Sequence, residues 1–184
     1  PGRFLLLLCL AWAPALSLPG QSLPSLKIPR FGLHLVDKEE VLAAECGANA
    51  RRFFVSWGQL EPRPGRYDFS SLDRAVEASQ RHRGLNVVVT LQPVSQWDGN
   101  IVTGPGGLPG GELPHHLGAW VDCVRRTAER YDGDGIRDQP GLRYPVHYWQ
   151  VGNEFWQWQD TVDNYLTLLK ATRVAILAAN PSAK

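Results

Sequence analysis

The chain has 184 residues, 43% hydrophobic and 20% charged, which is enough for one sizeable core and unlike a disordered or fibrous composition. Nineteen Lys and Arg against 18 Asp and Glu leave a formal net charge of +1, with no basic stripe or block of like charge. Electrostatic recruitment of nucleic acid or acidic lipid is thereby excluded, and a neutral partner is favoured.

The N-terminus, P-G-R-F-L-L-L-L-C-L-A-W-A-P-A-L-S-L-P-G, has one cation at Arg3, an apolar run from Phe4 to about Ala13, and small residues at Ala15 and Ser17. This pattern predicts a secretory signal peptide over residues 1–17, too short to span a bilayer comfortably. Pro14 and Pro19 argue against a buried helix there, and bulky Leu8 before Cys9 argues against a lipid anchor. The expectation is an exported protein, secreted or periplasmic, with no membrane association once the signal is removed. The absence of Met, including at position 1, predicts a sequence that begins inside an open reading frame. Cleavage near Ser17 leaves Cys46 and Cys123, without a CxxC motif or a His at metal-ligand spacing, and both are expected as buried thiols on helices that are not neighbours.

Residues 18–29 read as a Pro- and Ser-containing spacer, and residues 30–184 as one domain. Arg30 to Val36 is a short apolar strand, and Asp37 with Glu40 forms a capping-box pattern opening a helix that ends near Gly47. Ala50 to Trp57 is a second strand. Leu72, Ala75, Val76 and Ser79 share one face of a helix started by Asp68 or Ser70 and stopped at Gly84. Asn86 to Gln92, N-V-V-V-T-L-Q, is the kind of strand buried on both faces in a parallel sheet. Leu117, Trp120, Val121, Val124, Ala128 and Tyr131 mark a third helix, and Val146 to Gly152 a fourth strand. A last helix carries Val162, Tyr165, Leu168, Leu169, Thr172, Ile176 and Ala179 on its stripe and ends at Asn180-Pro181. The closing A-A-N-P-S-A-K reads as the turn before a fifth strand.

Strict alternation of strands and helices predicts parallel strands joined by right-handed crossovers. A doubly wound sheet would carry a Gly-rich phosphate loop after its first strand, and H-L-V-D-K-E-E has none. A complete barrel needs about 250 residues. The expected fold class is therefore α/β, a (β/α)8 TIM barrel truncated to about its first four β/α units.

In such a barrel, chemistry gathers beyond the C-terminal ends of the strands. Those ends carry His34, then Ser56-Trp57, then Gln92 through Trp97, then Asn153-Glu154 through Trp158. Trp149, inside a strand, and Trp120, on a helix stripe, read as core. Trp97, Trp156 and Trp158 lie in loops or past strand ends, where a flat apolar face suits sugar C–H groups as well as it suits packing.

The block G-A-N-A-R-R-F-F-V-S-W-G-Q-L-E-P-R-P-G-R-Y-D-F-S-S-L-D, followed by G-L-N-V-V-V-T-L and Y-W-Q-V-G-N-E, resembles the clan A glycoside hydrolases, nearest to families 39 and 42 and the cellulase-like group. The likeness covers roughly residues 31–184 and the N-terminal half of such a barrel. It implies that Glu154 is the general acid/base, that Asn153 hydrogen-bonds the sugar 2-hydroxyl, and that Arg52 braces the catalytic carboxylates. Chemically, a glycosidic oxygen leaves only when protonated, so the acid must hold its proton near neutral pH; Phe155 and Trp156 offer an apolar wall for that. Arg51, pointing the other way by strand alternation, is expected as an outer salt-bridge partner. Glu61 of the E-P-x-x-G segment is expected to fix the loop, and His34 either touches sugar hydroxyls or is a satisfied core histidine.

The family's retaining members use a second glutamate at the end of strand seven, which this sequence does not contain, so the 184-residue chain alone is expected to be inactive. Asp98 to Glu112 is a long Gly/Pro-rich loop of the kind that is functional or mobile. Asp132 to Asp138 resembles part of a calcium loop, but Ile136 occupies the fifth position and no Glu stands at the twelfth, which favours a solvated turn and no metal. The leading expectation is a retaining O-glycoside hydrolase acting on β-linked polysaccharide or oligosaccharide, with a carbohydrate substrate and no cofactor, in which Phe31, Arg52 and the Trp-bearing loops frame the subsites. The alternatives are a non-catalytic carbohydrate-binding barrel protein and a fragment with no function of its own.

Overall fold

The structure, a computed structural model, describes residues 24, 26, 27, 29–34, 45–83, 85–103, 109–154 and 160–184. Residues 1–17, expected as a signal peptide, most of residues 18–29, most of the expected first helix and the pair Trp156 and Trp158 lie outside the described residues.

Four strands form one parallel sheet in the order β1 (Gly32–His34), β2 (Ala50–Ser56), β3 (Asn86–Gln92), β6 (Tyr148–Val151). Between β2 and β3 come a one-turn helix α1 (Trp57–Leu60) and the long α2 (Ser70–Arg83); α3 (Leu117–Arg130) precedes β6, and α4 (Val162–Ala179) follows it. The sheet is open, and its α/β order is the expected one. β1 begins at Gly32 rather than Arg30, with residues 35 and 36 outside the described set, and β6 is shorter than the sequence suggests. Val146 is diverted because its amide donates to the Tyr131 carbonyl at 2.7 Å. On the edge of β6 away from β3, the Lys184 amide donates to the His147 carbonyl at 2.6 Å and its carbonyl accepts from the Trp149 amide at 3.0 Å, which is the bonding of a parallel neighbour.

The two faces of the sheet differ because side chains alternate along each strand. Val55, Val87, Val89, Leu91 and Val151 are buried against Leu72 and Val76 of α2, Trp120, Cys123 and Val124 of α3, and Leu168 and Ile176 of α4 in one core. Trp57 opens α1 inside this core, edge-on to Trp120 at 5.8 Å and to Trp97 at 4.7 Å. Each such aromatic pair contributes about 1 kcal/mol beyond area burial. The helices are tied laterally by Arg130, whose Nε and Nη2 each reach the Asp73 carboxylate at 2.8 Å, with the Tyr131 hydroxyl donating to the same carboxylate at 2.7 Å. Burial pushes the Tyr131 phenol well above its usual range.

Local chemistry sets the helix ends. Ser56 and Gln59 make a reciprocal capping box on α1, Asp68 accepts the Ser70 amide ahead of α2, and Thr161 accepts the Asn164 amide at the start of α4. Val162, expected on the apolar stripe of α4, is 63% exposed because it is the first helical residue and overhangs the core.

Several expectations are corrected. Cys46 and Cys123 are both free, but only Cys123 is buried; Cys46 is exposed in the turn that Gly47 completes at φ 82. Arg51 points away from Arg52, as strand alternation implies, onto the helix-covered face, where it is 2% exposed and its guanidinium lies 5.7 Å from the Phe53 ring centroid. His34 is exposed at the end of β1 rather than a core histidine, because β1 is an edge strand. Within the Asp98–Glu112 segment, β4 (Ile101–Thr103) and β5 (Pro109–Gly111) form an antiparallel hairpin, with residues 104–108 outside the described set.

Candidate active site at the end of strand β6

The register puts His34 beside Arg52, Phe54 beside Thr90, and Thr90 beside Gln150, so these residues share the face opposite the helix-packed core. On that face Arg52 reaches across the sheet. Its Nε donates to Thr90 Oγ1 at 3.0 Å, and its Nη2 donates to Asn153 Oδ1 at 2.7 Å. The guanidinium also lies 4.4 Å from the centroid of Phe54, whose ring meets His34 edge-on at 4.9 Å. His34, Arg52 and Asn153, three of the residues singled out by the sequence, are thus joined in one chain of contacts running from β1 to the end of β6.

The turn bearing Asn153 and Glu154 is anchored at its base by the Gly152 amide, which donates to the Leu91 carbonyl at 2.8 Å and so extends the β3–β6 ladder by one residue. Gly152 has φ 68 and Glu154 φ 48. Left-handed backbone is ordinary for Gly but costs a residue with a Cβ about 1 kcal/mol, and such positions concentrate at functional sites. Glu154 is exposed. Asn153 and Glu154 line a cavity of about 300 Å³ with Gln150 and Tyr165, whose hydroxyl donates to the Val151 carbonyl at 3.2 Å. Because Trp149 and Val151 line the same cavity, it runs along the outer edge of β6 as well as over the turn.

Trp97 belongs to a different cluster. Partly buried, it packs on Trp57 and its indole N–H donates to the Glu61 carbonyl at 2.7 Å. Glu61 itself is buried, accepting Trp57 Nε1 at 2.7 Å and the Gly65 amide at 2.6 Å, which is the loop-fixing role expected of it. The wall that Phe155 and Trp156 were expected to give Glu154 lies outside the described residues.

Sequence reasoning missed two groups. Thr90 and Gln150 underlie the Arg52–Asn153 link, and the only sign of them is a Thr inside the apolar run V-V-V-T-L. The loop after β3 is pinned by buried Asp98, which accepts the amides of His115 and His116 and pairs with His116 Nδ1 at 2.7 Å, while Asn100 bonds the carbonyls of Pro93 and Glu112. The His115 imidazole is held above its ordinary pKa, first by the Asp98 main chain and then by Glu112.

Among the described residues, Asp132, Asp134 and Asp138 bring carboxylate oxygens within 4.8 Å of one another. They lie between α3 and β6, at the end of the sheet away from Glu154, and already accept main-chain amides: Asp132 from Asp134, Asp134 from Ile136, and Asp138 from Gly133 and Gly135.

No protein-family model matches the sequence, and no curated protein matches it. Solved structures do. A family 39 glycoside hydrolase from the gut symbiont Bacteroides cellulosilyticus is similar at TM-score 0.63 and 20% identity, over 83% of this chain and 30% of that one. Endo-glycoceramidase II from Rhodococcus sp., as its lactosyl-enzyme intermediate, is similar at TM-score 0.57 and 18% identity, over 83% of this chain and 47% of that one. An endoglucanase from Pseudomonas stutzeri is similar at TM-score 0.55 and 15% identity, over 82% and 41%. The chain therefore spans less than half the length of each of these proteins, and what it shares with them is the fold of clan A glycoside hydrolases over the part it covers.

Proposed function

We propose that the chain is the N-terminal half, about four β/α units, of an exported retaining glycosidase with a (β/α)8 barrel, acting on β-linked polysaccharide or oligosaccharide. The observation that carries this reading is the coupling of Arg52 to Asn153 at 2.7 Å beside a Glu154 held at φ 48, at the C-terminal end of β6. A strained, exposed carboxylate next to an amide fixed by a guanidinium is suited to touching a ligand and unsuited to stabilising a strand end.

In this reading Glu154 protonates the glycosidic oxygen as the bond to the anomeric carbon breaks, then takes a proton from the water that attacks the sugar. Asn153, with its Oδ1 occupied by Arg52, presents its amide N–H to a sugar hydroxyl. The first step needs a second carboxylate as nucleophile, about 5–5.5 Å from the acid. Within the proposal that carboxylate comes from a later strand of the complete protein. The 184-residue chain alone then has no turnover, and residues 1–17 act as a signal peptide. The Rhodococcus endo-glycoceramidase, named as a lactosyl-enzyme intermediate, supports the covalent, retaining form of the mechanism.

The test is to express the complete reading frame and assay aryl β-glycosides and β-linked oligosaccharides. The reading expects hydrolysis with retained anomeric configuration, abolished by Glu154→Gln. A complete frame that binds oligosaccharide without hydrolysing it would instead support a carbohydrate-binding barrel.

A further inference from the structure

Thr90 is the polar interruption of β3, 0% exposed, on the face shared with Arg52 rather than the helix-packed face. A buried hydroxyl in a sheet centre requires partners, and the donors and acceptors around it fix their own directions. Arg52 Nε can only donate, so Thr90 Oγ1 accepts from it at 3.0 Å and turns its own proton to Gln150 Oε1 at 3.4 Å. Gln150 in turn donates Nε2 to the Gly152 carbonyl at 3.0 Å, while the far end of Arg52 holds Asn153 Oδ1 at 2.7 Å. The result is a closed circuit from β2 through β3 and β6 that grips the Gly152–Asn153 turn at two points, one main chain and one side chain.

We propose that Thr90 and Gln150 are positioning residues for the candidate acid Glu154, acting through Arg52 and the Gly152 carbonyl to hold the turn in its left-handed geometry. Neither needs to touch substrate. Arg52 has several rotatable bonds, and its bond to Asn153 alone leaves the guanidinium free to pivot; Thr90 removes that freedom from one side, and Gln150 fixes the backbone immediately before Asn153. The consequence for turnover rests on the glycosidase reading above, whereas the consequence for the geometry of the turn does not.

The experiment compares Thr90→Val, Thr90→Ser and Gln150→Met in the complete reading frame. Two readouts are taken: steady-state kinetics on an aryl β-glycoside, and the amide 1H–15N signals of Gly152, Asn153 and Glu154. Thr90→Val keeps shape and loses both hydrogen bonds, so it is expected to shift those signals and to lower kcat about tenfold to a hundredfold at nearly constant KM. Gln150→Met is expected to act in the same direction, and Thr90→Ser to restore both readouts. A wild type that hydrolyses nothing, with signals that still move in Thr90→Val and return in Thr90→Ser, supports the positioning role and counts against the glycosidase reading. An active wild type whose kcat and turn signals are unchanged in Thr90→Val overturns the positioning role alone. Equal losses in Thr90→Val and Thr90→Ser that follow thermal stability overturn it too, since they would mark a packing effect.

Discussion

Arg52 and Asn153 are 101 residues apart in the chain and joined by a 2.7 Å hydrogen bond that crosses β3 without involving its backbone. The same guanidinium is held by Thr90 at 3.0 Å and lies on Phe54 at 4.4 Å, so its planar fork serves three neighbours at once. An ammonium cannot reproduce that geometry. Arg52→Lys in the complete reading frame is therefore expected to lower kcat/KM by about tenfold to a hundredfold, while moving the thermal midpoint little. Steady-state kinetics alongside a melting curve checks this, and full activity in the Lys variant would count against it.

Glu154 sits at φ 48, where a residue without a Cβ is at ease. Glu154→Gly is expected to raise unfolding stability by roughly 0.5–1 kcal/mol while abolishing glycosidase activity. Urea denaturation and an activity assay on the same preparation measure the two effects. If the Gly variant is both less stable and fully active, the carboxylate is structural.

The buried Glu61 carboxylate takes Trp57 Nε1 and the Gly65 amide at 2.7 and 2.6 Å. Glu61→Ala leaves both donors buried without an acceptor and is expected to destabilise the protein by about 3 kcal/mol or more. Glu61→Gln keeps one acceptor oxygen and is expected to cost about half of that. Chemical unfolding of the two variants should show this order, and equal losses would mean that the side chain acts by filling volume.

Burial raises the Asp132 carboxyl to about 7 from its usual 3.8, helped by the charges of Asp134 and Asp138. The folded state therefore holds this proton more tightly than the unfolded state does. Its contribution to stability is complete below the unfolded value near 3.8 and disappears as pH rises through about 7. Lowering pH from about 8 to about 5 should raise the melting temperature through this group. His115 and Asp138, also raised, work in the same direction and His147, lowered by burial, against it, so the contribution of Asp132 is read from Asp132→Asn. Asp122, held down to about 2 first by its hydrogen bond from Arg126, does not titrate in this window. The Asn variant should show a flatter melting profile and higher stability at neutral pH; identical slopes would remove Asp132 from the account.

The elements were legible in the sequence because they depend on short-range chemistry. The 3.6-residue period of Leu72, Ala75, Val76 and Ser79 marks a helix, and N-V-V-V-T-L-Q marks a strand whose bounds, Asn86–Gln92, are those of β3. The G-N-E tripeptide at a strand end and the second-strand Arg52 were also readable, as types of residue at a spacing. Less legible were the strand ends, because Val146 and His147 choose between the sheet and the Tyr131 and Lys184 backbone only when those segments meet.

Short-range pattern thus carries an alternating α/β order, the core-facing stripes, and a candidate carboxylate with its neighbouring amide. Which side chains serve them depends on how distant segments pack. The bond from the Trp97 indole N–H to the Glu61 carbonyl arises where two loops meet, whereas Thr90 facing Arg52 and Gln150, and Arg51 being buried while His34 is exposed, follow from strand register and sheet edges. Register is a property of paired strands far apart in the chain, and a shift of one residue would turn every one of these side chains to the opposite face.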